Sequence, residues 1–224
     1  LKADAMAMRA EDYEHGKVDI DELYSGQSEI LVPRMAIEAL YRSGEAEVDT
    51  GDLPDNCCLV LRNDENHNNT ALGRVCPGGG KVAATRRFKE GVWGIFPRNK
   101  EQIFALDLLL DDSVRLVTLV GMAGTGKTLL AIAAGLLQAA DLGTYQRLLV
   151  SRPIFPLGRD IGFLPGDIEE KLNPWMKPVY DNVEFILDLA REKTREKKRG
   201  YIELIDLGIL EIEPLTYIRG RSIP

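Results

Sequence analysis

The chain has 224 residues, 45% hydrophobic and 28% charged, with a formal net charge of −7. That is enough apolar sequence to bury one large core or two small ones. No apolar run approaches the ~20 residues of a membrane span, and no secretory leader pattern opens the chain. The negative balance argues against a surface coated in basic residues, but not against one local nucleic-acid groove.

Three cysteines, Cys57, Cys58 and Cys76, give neither an even disulfide framework nor a C-x-x-C pair. Adjacent Cys57 and Cys58 on a strand face opposite ways and are read as buried thiols. His15 and His67 are too isolated for a zinc site. A reducing cytoplasm is therefore the default compartment. The chain opens on Leu1 rather than methionine, which reads as a fragment or a processed chain.

Residues 1–18 start helical and turn acidic through Glu11-Asp12-Tyr13-Glu14. They are too short to bury a core and read as a tail or linker. Residues 19–92 change character. Ser28–Pro33 reads as a short strand, and Arg34–Arg42 as helical turns stopped by Ser43-Gly44. Asn56–Leu61 and Thr70–Cys76 read as strands. Pro77-Gly78-Gly79-Gly80 is a turn with Lys81–Thr85 returning as a hairpin partner, and since no helix follows, a phosphate loop is the weaker reading. The spacing predicts a small β-rich module of five or fewer strands. Arg74, Lys81, Arg86, Arg87 and Lys89 give its second half a basic cast, readable as an RNA-contacting surface or, more simply, as a solvated sheet face.

From residue 93 to 224 the pattern becomes α/β. Pro97–Gln102 leads into an amphipathic helix through Ile103, Phe104, Leu106, Leu108 and Leu109, ended by Asp111-Asp112-Ser113. Arg115–Val120 reads as a short buried strand. Gly121-Met122-Ala123-Gly124-Thr125-Gly126-Lys127-Thr128 follows and fits G-x-x-x-x-G-K-[ST]. Glycines let the backbone curl so that successive N–H groups form an anion nest at a helix start. Lys127 would then reach the β- and γ-phosphates, and the Thr128 hydroxyl would hold Mg²⁺ brought with the nucleotide. The helix after the loop runs to about Ala140 and stops near Gly143. Arg147–Ser151 reads as a second buried strand, parallel to the first by a right-handed crossover. That places Ser151-Arg152-Pro153 at a carboxyl strand end, where ligands bind in such sheets.

Gly158–Gly166 is a glycine-rich loop, and Asp167 with Glu170 signals a helix start. Asn173-Pro174 and Lys177-Pro178 predict a helix broken into short pieces, resuming over Val183–Leu189. Arg191–Arg199 carries six positive charges against two negative and reads as a solvated helix end or mobile loop, or as a phosphate-backbone contact. Apolar residues continue at Ile202, Leu204, Ile205, Leu210 and Ile212, before Tyr217-Ile218-Arg219-Gly220-Arg221.

Taken together, Pro97–Gln102, the P-loop, Ser151-Arg152-Pro153, Gly162–Asp167, Asn173-Pro174-Trp175 and Tyr217–Arg221 closely resemble the PhoH family of P-loop ATPases, relatives of superfamily 1 helicases. The resemblance implies an α/β fold: a partial, helicase-like P-loop NTPase parallel sheet with helices over 93–224, preceded by the β-rich module of 19–92. It implies ATP and Mg²⁺ as cofactors, RNA as partner, no membrane, and a possible homo-oligomeric ring. Gln102 resembles the helicase glutamine that reads adenine, its amide pairing with N6 and N7 together. An exposed helix-start glutamine is the plainer alternative. Arg98 is a candidate near base or phosphates, Arg152 could contact RNA or phosphate or form an ion pair, and Arg219 and Arg221 have no assignable role.

Lys2–Ala5 with Ala10–Tyr13 looks like the end of a PIN nuclease domain, so the intact relatives resemble PIN–PhoH fusions linked to RNA unwinding and cleavage. The family's Asp-Glu pair, needed to hold Mg²⁺ and orient water, is expected shortly after Arg221. Asp206 is the internal substitute, and a weak one. No nuclease site is present, since Asp4 and Asp12 are poor replacements. The leading reading is thus an ATP-binding piece of an RNA-remodelling ATPase that hydrolyses slowly by itself. The competing readings are a non-enzymatic RNA-binding module with a structural nucleotide site and, less favoured, a small-molecule kinase.

Overall fold

Alternation of apolar and polar residues, punctuated by glycine and proline, sets the first half of the chain into strands. The computed structural model describes residues 24–153, 168–194 and 200–218. The expected tail of 1–18, the Gly158–Gly166 loop, the Asp167 helix signal, Arg195–Arg199, Arg219 and Arg221 lie outside these residues. The chain divides into two units, Leu1–Ala84 and Thr85–Pro224.

In the first unit β1 (Gln27–Val32) is followed by α1 (Arg34–Ser43), β2 (Glu45–Glu47), β3 (Cys58–Asn63), β4 (Thr70–Val75) and β5 (Lys81–Ala84). They form one sheet of order β1-β3-β4-β5-β2. The β4–β5 hairpin closes through Gly78, Gly79 and Gly80, whose φ values of +90°, +70° and +72° suit glycine alone. β1 pairs parallel to β3, with Gln27 opposite Cys58, an arrangement that local spacing does not signal. The core is Val32, Ile37, Leu40, Leu59, Leu61, Val75 and Val82. Cys57 and Cys58 are buried and in no disulfide, as expected.

The second unit contains α2 (Lys100–Leu109), α3 (Lys127–Leu136), β6 (Leu148–Arg152), α4 (Ile168–Thr194), α5 (Tyr201–Asp206), β7 (Leu210–Pro214) and α6 (Leu215–Ile218). α3 runs on into one wide π-type turn, Leu137–Asp141, where Leu142 N–H donates to Leu137 O at 2.9 Å. Gly143 then turns the chain at φ +62°.

Two expectations fail here for stated reasons. Pro174 and Pro178 do not break the helix: Ile168–Thr194 is continuous over 27 residues. Met176, Val179, Val183, Ile186, Leu187 and Ala190 are buried at helical spacing and join the core, while Pro178 is exposed. The carbonyl freed by a solvent-side proline can meet water, and the buried stripe outweighs the lost bond.

Arg115–Val120 is not a buried strand either. It is irregular, with Leu116 84% and Val120 66% exposed. A strand needs a neighbour to take its N–H and C=O groups, and none of the described residues supplies one. The parallel pair is instead β6 with β7, Ser151 opposite Glu213.

Gly73 shows how tightly the first sheet is packed. A Cβ there would lie 2.5 Å from Val82 Cγ1 and 2.9 Å from the Ala83 carbonyl oxygen. Gly73→Ala is expected to cost about 1–3 kcal/mol by overpacking, read as a lower urea midpoint for the sheet's unfolding at unchanged slope.

Candidate nucleotide site

α3 is the element that places the site. Leu130, Ile132, Ala133, Ala134 and Leu136 bury one side of it in the second unit's core. Its far end is pinned by Gln138, buried, whose Nε2 donates to Leu109 O at 2.9 Å and ties α3 to α2. The start of the helix is left facing solvent. Gly126 is the N-cap with φ +86°, and Gly124 has φ +78°. Those left-handed residues produce the curl that the motif requires.

The loop from Gly121 to Thr125 is exposed, as is Thr128, so the helix start and its hydroxyl are open to a ligand. Lys127 folds over the loop: its Nζ donates to Met122 O at 2.6 Å, to Gly121 O at 2.9 Å and to Thr125 Oγ1 at 3.3 Å. Thr125 Oγ1 in turn donates to Met122 O at 2.9 Å. The ammonium thus lies in the concavity and is held there by carbonyls, a poor substitute for phosphate oxygens. Donors of this kind fit a triphosphate, and the exposed Thr128 hydroxyl stands at the same helix start.

α2 approaches the loop with its amino end. Asn99 caps it, Oδ1 accepting from Gln102 N at 2.9 Å. Gln102 Oε1 accepts from Arg98 N at 2.7 Å, one residue before the cap, so the side chain reaches back over the start of the helix. Gln102 Nε2 donates to Thr125 O at 3.2 Å. Gln102 and the P-loop are therefore brought together, and Arg98 joins them through its backbone, its side chain exposed.

Other predicted residues stand apart from this cluster. Arg86 is part of the unit's frame: its N–H donates to Asp107 Oδ1 at 2.9 Å and its guanidinium to Leu110 O. Arg74 donates to Asn56 Oδ1. Asp206 ends a helix and is exposed, so it is not an acid at a buried strand end. Among the described residues no group of three or more His, Cys, Asp or Glu could hold a metal. Glu213, at the carboxyl end of β7 beside Ser151, was not singled out from sequence. The signal was there in the alternation Leu210-Glu211-Ile212-Glu213 stopped by Pro214. Asn99 was also passed over as a cap.

Residues 94–224, more than half of the chain, match the family described as PhoH-like protein. The chain belongs to the PhoH family. Membership makes the second unit a P-loop NTPase domain and implies that its P-loop binds ATP. The chain is 44% identical over its whole length to the protein PhoH2 of Bacillus subtilis (strain 168), covering 50% of that relative. It is 38% identical, again over its whole length, to PhoH2 of Mycolicibacterium smegmatis (strain ATCC 700084 / mc(2)155), covering 48%. A second Bacillus subtilis protein, PhoH-like protein, is 37% identical over 46% of the chain and 30% of its own length. The chain thus spans about half the length of the PhoH2 relatives. No solved structure matches it. No helix among the described residues is long and apolar enough to cross a membrane.

Asn99 gives a test of the α2 end of this PhoH site. Asn99→Ala is expected to lower stability by about 1 kcal/mol and Asn99→Gly by only a few tenths, because glycine tolerates the cap conformation. Denaturant unfolding of the two variants side by side checks it.

Proposed function

We propose that this chain is the nucleotide-binding part of an RNA-remodelling ATPase of the PIN–PhoH kind, binding ATP with Mg²⁺ and hydrolysing it slowly when alone. The observation that carries the reading is the Lys127 ammonium inside an open, glycine-curled loop at the start of a helix anchored in the core.

Binding follows from that arrangement. An arriving triphosphate displaces Gly121 O and Met122 O from Lys127, which then meets the β- and γ-oxygens. Backbone N–H groups at the start of α3 would donate to the same oxygens, aided by the helix dipole. Mg²⁺ supplies charge neutralisation across the phosphates, and the Thr128 hydroxyl is the ligand this chain offers it. Arg98, exposed and bonded through its backbone to Gln102, is a further cation proposed for the nucleotide. RNA and a ring of like subunits belong to the same proposal and rest on family resemblance. The bond of Arg74 to Asn56 within its own unit takes one of the module's basic residues away from a free RNA surface.

Slow turnover follows from the acids. Hydrolysis needs a carboxylate that orients water against the γ-phosphate. Asp206, the acid the sequence offered for it, sits at an exposed helix end, and Glu213 near the end of β7 is the acid that the turnover measurement tests.

Two measurements check the reading. Lys127→Ala should weaken MgATP binding by roughly a hundredfold, as expected for losing a charge-assisted contact of about 3 kcal/mol. Equal affinity in calorimetric titration would remove the P-loop assignment. Steady-state turnover by the chain alone should stay well under ~1 s⁻¹, the low end of ordinary enzyme rates. Turnover above that, abolished by Glu213→Gln, would make Glu213 the acid and reject slow hydrolysis.

A further inference from the structure

We infer that Gln102 is a positioning residue for the P-loop, so that its contribution to binding falls on the triphosphate and not on the choice of base. The inference rests on the proposed nucleotide site and departs from the adenine-reading role that resemblance implies for this residue.

The bonding pattern carries the argument. The Gln102 amide makes bonds of opposite polarity in two directions, accepting from Arg98 N at 2.7 Å and donating to Thr125 O at 3.2 Å. An amide has one oxygen and one nitrogen, and protein groups already define where each points. Turning it toward a base would give up the bond from Arg98 N and the loop contact at once. The anchor behind it is firm. Gln102 N is itself bonded to Asn99 Oδ1, and Phe104, Ala105 and Leu106 of the same helix are buried.

The other end of the strut meets the node of the loop. Thr125 is the residue whose hydroxyl reaches Met122 O and receives Lys127 Nζ. Its carbonyl, held by Gln102, orients the peptide leading into Gly126. A Cβ on Gly126 would lie 3.5 Å from Gln102 Nε2, so loop and amide are in contact at this point. On the other side of the loop, Arg115–Val120 has no ladder partner among the described residues. Gln102 is thus a side-chain tether on a loop whose preceding segment is held by no strand. A preorganised loop binds more tightly because less order must be imposed on binding.

The test uses the full chain, two ligands and two variants. Gln102→Glu keeps the acceptor for Arg98 N–H and suits the third helical position, but sets a carboxylate against the Thr125 carbonyl; Gln102→Ala removes both bonds. Without any nucleotide, hydrogen exchange at the amides of residues 124–127 should speed up in both variants. In Gln102→Glu the α2 amides should keep wild-type protection. Unchanged loop exchange in Gln102→Glu would overturn the inference. So would acceleration that spreads through α2, which would make the effect a lost helix.

With ligand, Mg²⁺–ATP and Mg²⁺–tripolyphosphate, which has no base, should both weaken by the same factor in Gln102→Ala. A factor of about 2–10 corresponds to one neutral hydrogen bond. Weaker ATP with unchanged tripolyphosphate would show a base reader and reject the inference. A wild-type chain that binds neither ligand would reject the proposed function instead, and the exchange experiment would still decide the role of Gln102.

Discussion

A helix start can hold an anion only if the helix does not move away from it, and the buried side of α3 is what guarantees that here. Leu130, Ile132, Ala133, Ala134 and Leu136 fix the helix from within the core, so its open end and the backbone amides there have one position. Gly135 adds a close approach: a Cβ at that point would lie 2.5 Å from Leu148 Cδ1. Helix and β6 therefore pack through a missing side chain. The glycines of the P-loop give the curl, but the apolar face of α3 gives it an address. Either alone would make a weak site.

The same core explains α4. Two prolines in one helix are a strong local signal for breakage, and local signals are what a sequence displays most readily. Burial is a sum over many residues, and Val183, Ile186 and Leu187 contribute to it from positions far along the helix. At about 1.5–3 kcal/mol for each fully buried aliphatic side chain, that sum exceeds a cost of ~3 kcal/mol per interior proline. The break is avoided because tertiary packing decides.

Much of the site was legible because its chemistry is local. The P-loop, the helix behind it and the Pro97–Gln102 lead-in are contiguous segments whose residue types state their geometry. The β4–β5 hairpin was legible for the same reason, through its three glycines. What escaped was non-local. The parallel pairing of β1 with β3, and of β6 with β7, depends on residues tens of positions apart, and no periodicity within one strand names its neighbour. Arg115–Val120 shows the converse. Its apolar, β-branched composition is that of a strand, yet strand is a property of a pair, and the described residues hold no partner for it. Gln102 was seen and given a role by likeness. Its backbone bond to the Asn99 cap is written in the spacing of the two residues, whereas its side-chain bonds to Arg98 N and Thr125 O are tertiary geometry that spacing does not state.

Lys127 joins these points. In the absence of phosphate its ammonium occupies the loop it serves, bonded to Gly121 O and Met122 O. Those bonds keep a charge satisfied, and they also compete with the ligand. Observed affinity is the intrinsic affinity reduced by the fraction of molecules whose loop is ready to receive phosphate. Restraints on the loop therefore act on affinity without touching the nucleotide. On the α3 side the restraint is a packed helix and the Thr125 carbonyl held by Gln102. On the other side is Arg115–Val120, which has no ladder partner among the described residues, with Leu116 and Val120 exposed and Leu119 packed against the core. Lys127 bonds the carbonyls of Gly121 and Met122, in the first half of the motif, whereas Gln102 holds the Thr125 carbonyl in the second.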